Sequence, residues 1–243
     1  MSILTIILFG LTVLITHFLE GITGFGCTVL AMPFCIMLVG IKIAKPILAI
    51  CSLLLSIFII INSYKHILWN HYIRILCYVS LGLPLGFWAF DKLPESTLKK
   101  ILALFMIVVA IRGLLLTYGK YKATKPINNH VLSFILFLGG CIHGAFASGG
   151  PLVILYASER IKNKTNFRAT LCLLWVTLNT IVILQSFIKG SLTSDTLKLL
   201  LLILPFLFVG AVLGNWAHYR IKDSIFSKMV YVVLFISAIF TFF

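Results

Sequence analysis

Acidic residues are scarce in this chain. It has 6 Asp and Glu against 20 Lys and Arg in 243 residues, and charged residues of both signs make up only 11%. So small a polar supply excludes a soluble domain of this length, which needs a far more polar surface. The acids are not clustered, and there is no HExxH and no GxSxG, so the sequence offers no set of groups for metal-assisted or serine hydrolysis. Cys27, Cys35, Cys51, Cys77, Cys141 and Cys172 include no CxxC pair. All six lie in apolar segments, where they are expected as small buried hydrophobes, with no disulfide needed. His17 and Glu20 share a helix face at i, i+3, but no second pair converges on them, so no metal site is expected.

What the chain does have is apolar sequence. Hydrophobic residues make up 61%, and the mean hydropathy is +1.13. Several runs of about 20 apolar residues read as membrane-spanning helices. The first begins at Ile3 and is too long, and too poor in basic residues at its start, for a cleaved signal peptide. The net charge of +14 sits in short loops, as the positive-inside rule and attraction to anionic lipid require, so nucleic acid is not an expected partner.

The pattern predicts a first helix over Ile3–Leu19, a short piece over Thr28–Gly40, and spans over Pro46–Tyr64, Tyr72–Phe90 and Leu98–Thr117. Tyr118–Asn129 is the long polar connector. The second part repeats the order, with a helix from His130, a short helix over Pro151–Ser158, and spans over Ala169–Ile188, Thr196–His218 and Ser224–Phe243. Lys42 and Lys45 read as one loop and Glu159–Arg168 as another. This divides the chain into a first transmembrane repeat (1–117), a linker (118–129) and a second repeat (130–243).

Two stretches interrupt the helical pattern. In His17–Pro33, Gly21, Gly24 and Gly26 fall inside an apolar run, each lowering helix stability by roughly 1 kcal/mol relative to alanine. Gly140–Tyr156 lies 123 positions on, with Gly144 matching Gly21, Gly149 matching Gly26 and His143 matching Glu20. After a five-residue insertion, Gly82, Gly86 and Trp88 match Gly210, Gly214 and Trp216. Paired breaks in the two halves of a hydrophobic chain point to a transporter's substrate site. A span count that is odd in each half makes the repeats inverted, which is the favoured arrangement; treating each broken pair as one crossing makes them parallel. The loop charges put both termini outside the cytoplasm.

The breaks suggest a site. Helices starting near Thr28 and Pro151 within the membrane present unpaired N–H groups and partial positive charge. Pro151 suits a first helical turn, and Gly24, Gly26, Gly149 and Gly150 permit tight turns and close approach of a ligand. Thr23, Thr28 and Ser148 add hydroxyls. Together they form an uncharged cradle for an oxyanion, although the same glycines also serve close helix packing. Glu20 and His143 are candidate proton-coupling groups, since ionisable residues inside a membrane mark ion pathways and relays. Lys45 and Arg168, also matched, read either as interfacial anchors or as groups that attract anions to a vestibule.

At these residues the chain resembles the sulfite exporter TauE/SafE family of bacterial permeases for sulfur-containing anions. The resemblance rests on the glycine-rich turn and short helix of each half (Gly21–Pro33 and Gly144–Tyr156), on Arg168-Ala169-Thr170 opening the next span, and on the duplicated layout. The first half departs from the family's glycine run in having Cys27-Thr28. The resemblance implies roles for Gly21, Gly24, Gly26, Gly144, Gly149, Gly150, Pro151, Arg168 and Thr170 in binding. It also implies proton-driven transport of sulfite, a sulfonate or a related organosulfur anion across a bacterial plasma (inner) membrane.

The expectation is therefore an all-α polytopic membrane protein of two homologous halves, each a glycine-broken helical hairpin plus three spans. It is a permease, not an enzyme, and it has no cofactor. A passive anion channel and a permease for a non-sulfur anion are the alternatives. Expected partners are a small anionic substrate and the lipid bilayer, with a homodimer left open.

Overall fold

A computed structural model describes residues 2–25, 27–117, 127–218 and 220. The span expected over Ser224–Phe243, most of the linker, and Gly26 lie outside the described residues. Those described form α1 (Ile3–Thr23), α2 (Cys27–Val39), α3 (Ile41–Ser63), a 3-10 turn (Tyr64–His66), α4 (Trp69–Lys92), α5 (Glu95–Thr117), α6 (Asn129–Phe146), α7 (Gly150–Arg160), α8 (Lys164–Ile188) and α9 (Ser194–His218). Six of them, α1, α3, α4, α6, α8 and α9, are long and apolar enough to cross a membrane. At 1.5 Å per residue α2 is about 20 Å long and α7 about 16 Å, short of the roughly 30 Å hydrocarbon core. The chain is an all-α, multi-pass membrane protein. Its outer surface carries side chains such as Ile188, Phe187 and Leu81, each at least two-thirds exposed; lipid tails are a matching solvent for them.

Close helix crossings set the architecture. The buried face of α4 runs Ile75, Val79, Gly82, Leu83, Gly86, a helical repeat ending in two glycines. It lies against Gly140 and Gly144 of α6, so close that a Cβ at Gly82 would stand 2.1 Å from the Phe137 carbonyl oxygen and one at Gly86 2.1 Å from that of Cys141. On the other side of the molecule α9 meets α1 in the same way. A Cβ at Gly210 would stand 2.5 Å from the Leu14 oxygen, and one at Gly214 2.4 Å from that of Phe18 and 2.9 Å from the Cα of Gly21. Small residues let membrane helices approach backbone to backbone.

These crossings exchange helices between the two parts of the sequence. One core is built mainly from α1, α2, α3, α5 and α9, joined by Ala145 and Phe146 of α6 and Cys172 of α8, the other from α4, α6, α7 and α8. Between the cores α3 and α8 run antiparallel. Ala49, early in α3, clusters with Val182 late in α8, and Leu68, just past α3, donates its N–H to Thr170 Oγ1 near the start of α8 (3.0 Å).

Three expectations need correcting. Helix α1 runs to Thr23 and α6 to Phe146, so Gly21 and Gly144 lie inside helices, at the crossings just described, and not in the breaks. Helix α3 begins at Ile41 and α8 at Lys164, so Lys45 and Arg168 are each the fifth residue of a helix rather than loop or interfacial groups. Both are almost fully buried, because polar partners inside the protein receive them. The cysteines are also mixed: Cys27, Cys35, Cys51 and Cys172 are buried, Cys141 is half-buried and Cys77 is exposed.

Candidate functional site

The two hairpin turns share one geometry. Helix α1 ends at Gly24, whose φ of 80° is left-handed and whose N–H donates to the Glu20 carbonyl (2.6 Å). Helix α6 ends at Ala147, also left-handed at φ 52°, with its N–H on the His143 carbonyl (2.7 Å). Glycine takes that conformation without cost, whereas for alanine it costs about 1–2 kcal/mol. In both hairpins the candidate titratable side chain therefore sits one turn before the end of the long helix, and a short helix starts immediately after it.

Both hairpins contribute to one cavity of about 20 Å³, lined by Glu20 of α1, Thr28 and Val29 of α2, Ser52 of α3, and His143 of α6. Ala147, Ser148 and Gly150 line it from the second turn, and Trp175 and Asn179 from α8. Ser52 lies midway along α3 and Trp175 midway along α8, which puts the cavity at the middle of the central antiparallel pair. That volume holds about one water molecule.

Polar atoms in this wall are left over. Ser52 Oγ donates to Glu20 Oε1 (3.2 Å), while Glu20 Oε2, both ring nitrogens of His143 and Asn179 Oδ1 have no hydrogen-bond partner. Leaving such groups bare typically costs 1–3 kcal/mol each, and the cavity has room for one water to meet them. Trp175 joins the two hairpins. Its Nε1–H donates to the Gly24 carbonyl (2.8 Å), and its ring stacks on His143 with centroids 5.8 Å apart and 15° between planes.

The other residues singled out by sequence are distributed around this wall. Thr23 Oγ1 donates within its own turn, to Leu19 and Phe25 carbonyls. Ser148 Oγ donates to the Phe146 carbonyl while still lining the cavity. Gly149 precedes α7 and packs on the Gly139 carbonyl, where a Cβ would stand 2.2 Å away. Pro151 is the second residue of α7, where its missing N–H deprives the helix of nothing. Arg168 bonds Asn215 Oδ1 through Nη2 (2.9 Å), and its aliphatic stem packs on Gly24. Thr170 stands away from the cavity, accepting the Leu68 N–H.

Ser52, Trp175 and Asn179 were not picked out as site residues, yet the sequence carried a signal for them. Lys45, Ser52 and Ser56 are spaced i, i+7, i+11 and so share one helix face; Arg168, Trp175 and Asn179 repeat that spacing 123 residues on.

Among the described residues, six helices long and apolar enough to cross a membrane, with two half-length helices meeting at a small cavity that Glu20, Ser52, His143 and Asn179 help to line, fit a polytopic membrane transporter. A family model for sulfite exporter TauE/SafE matches residues 8–241, and the chain belongs to that family. It is similar to a Comamonas testosteroni protein named "Probable inner membrane transporter protein TsaS", with 25% identity over 178 residues covering 73% of each chain. No solved structure matches it.

Proposed function

We propose that this protein moves a small sulfur-containing anion, sulfite or a sulfonate, across a bacterial inner membrane by proton-coupled alternating access. The observation that carries the reading is the convergence of both half-helix starts and both candidate proton groups on one cavity. The first-turn N–H groups of α2 and the hydroxyls of Thr28 and Ser148 supply donors, with Gly24, Gly149 and Gly150 shaping the backbone around them. Glu20 faces the same small volume. A carboxylate and an oxyanion repel each other there, so the anion binds when Glu20 carries a proton, and that mutual exclusion is the coupling. His143, unpaired and stacked on Trp175, is the second proton carrier.

An oxyanion needs more room than one water, so loading requires the hairpins to part and transport proceeds by moving walls. The antiparallel course of α3 and α8, and the matching crossings α1–α9 and α4–α6, support reading the halves (1–117 and 130–243, joined by 118–129) as inverted repeats. Alternating access then exchanges the roles of the two hairpins. Lys and Arg counts in the loops support termini outside the cytoplasm.

The test is flux of radiolabelled sulfite into proteoliposomes with and without an imposed pH gradient. Wild-type flux should follow the gradient, and Glu20→Gln, which keeps the shape and the Ser52 bond, should make flux indifferent to it. Wild-type flux that ignores the gradient would identify a passive channel. Flux of cations but not sulfite would end the anion reading.

A further inference from the structure

Lys45 is a buried cation that the cavity does not account for. It is 1% exposed. Its Nζ donates to the Gly144 carbonyl (2.7 Å) and lies 3.8 Å from the ring centroid of Phe90 and 5.4 Å from that of Phe87. Among the described residues no carboxylate stands within ion-pair distance of it. Asp91, one residue beyond Phe90, acts on Lys45 only through space, its carboxylate being paired with Lys189 at 2.8 Å. An ammonium carries three donors, and here one reaches a neutral carbonyl while aromatic faces hold the charge. Taking a cation out of water without an anion in contact costs several kcal/mol, and cations so placed inside membrane proteins mark ion pathways.

Its position adds to this. Lys45 precedes Ser52 of the cavity wall by seven residues, about 10 Å along α3, just as Arg168 precedes Trp175 along α8. Since α3 and α8 are antiparallel, the two buried cations flank the cavity on opposite sides. Each reaches the hairpin of the other part of the sequence: Lys45 the Gly144 carbonyl near the end of α6, Arg168 the Gly24 turn of α1.

We propose that Lys45 is the anion's holding point on its side of the cavity. The ammonium leaves the Gly144 carbonyl to take the charge of an oxyanion passing between α3, α4 and α6, and the rings of Phe87 and Phe90 keep it in place when no anion is there. A neutral partner gives way to a charged one, so the exchange is favourable only for an anionic guest. The assignment rests on the anion-transport reading.

Initial rates of sulfite uptake against concentration, in proteoliposomes, test it with three variants. Lys45→Gln keeps a donor for Gly144 and removes the charge; its KM should rise at least about tenfold, the scale of a lost charged hydrogen bond, with Tm near wild type. Lys45→Arg keeps the charge, and its KM should stay within about threefold. Phe90→Leu weakens the resting place of the ammonium, so its KM should fall about threefold or more; this readout stands even where Lys45→Gln does not fold. An unmoved KM in a folded Lys45→Gln overturns the proposal, as does a Phe90→Leu that loses Tm with KM unchanged, since Lys45 then merely clamps α6. Wild-type protein that neither transports sulfite nor is stabilised by it takes down the anion reading, and this assignment with it. Wild-type transport with KM unmoved in Lys45→Gln sinks this assignment alone.

Discussion

Substituting Gly86 by alanine tests one of the tightest backbone contacts among the described residues. The new Cβ would lie 2.1 Å from the Cys141 oxygen, 2.9 Å from the Ala145 nitrogen and 2.9 Å from the Gly144 Cα. Ordinary van der Waals contact begins near 3.4 Å, so α4 must withdraw from α6 by about 1 Å. Every obstacle is backbone, so no side chain can swing aside. Overpacking typically costs 1–3 kcal/mol, and this case belongs at the upper end. The withdrawal also opens the seam around Gly82 and Gly140. The control is Gly190→Ala, at a position with φ of 68° and nothing within 4 Å; it carries only the left-handed penalty of about 1–2 kcal/mol. At about 2–4 °C per kcal/mol for a chain of this size, Tm in detergent should fall by about 6–12 °C for Gly86→Ala and by about 2–8 °C for Gly190→Ala. Transport should fall in Gly86→Ala as well, because His143 neighbours Gly144 on the displaced helix. A Gly86→Ala protein within 2 °C of wild type, or one more stable than Gly190→Ala, would refute the packing argument.

Two further substitutions separate turn, scaffold and site. Ala147→Gly relieves a left-handed alanine at the second hairpin turn while loosening the unfolded chain, so it should gain about 0.5–1 kcal/mol, read as a Tm rise of about 1–4 °C; a fall in Tm would contradict the strain. Thr170→Val leaves the Leu68 N–H without an acceptor and should cost about 1–3 kcal/mol in stability with the KM for sulfite unchanged. A shifted KM in that variant would bring Thr170 into the binding site after all.

How much of this was legible from the sequence varies with the physics involved. Helix class, the half-length of α2 and α7 and the location of the two turns follow from apolar run length and from glycine and proline, which act locally. Gly24 and the Gly149-Gly150-Pro151 run could therefore be placed within a residue or two. Gly21 and Gly144 could not, because a glycine that breaks a helix and one that admits a neighbouring backbone have the same local signature; only the partner helix distinguishes them. Lys45 and Arg168 were harder still. Charge in a membrane sequence usually marks an interface, and nothing nearby in sequence announces that Gly144, Phe90 and Asn215 will receive these side chains. The polar wall of Ser52, Trp175 and Asn179 was legible in principle, since its spacing repeats in the two halves, but it emerges only when the repeat is read along one helix face.

The exchange of helices between the two parts of the sequence bears most directly on transport. Were each half a self-contained bundle, a hairpin could shift without disturbing the other. Instead α4 buries its glycines against α6, and α9 buries its own against α1, so each hairpin's long helix is gripped by a helix from the opposite part. Trp175 adds a direct tie, holding the Gly24 turn by hydrogen bond and His143 by stacking. A displacement of either turn must then be felt at the other through a bond and a ring contact only a few ångströms long. This is a packed, two-ended connection of the kind that lets one site open as another closes. It would give the proposed coupling a mechanical route, since Glu20 and His143 each sit one turn before a hairpin turn and Trp175 ties the Gly24 turn to His143.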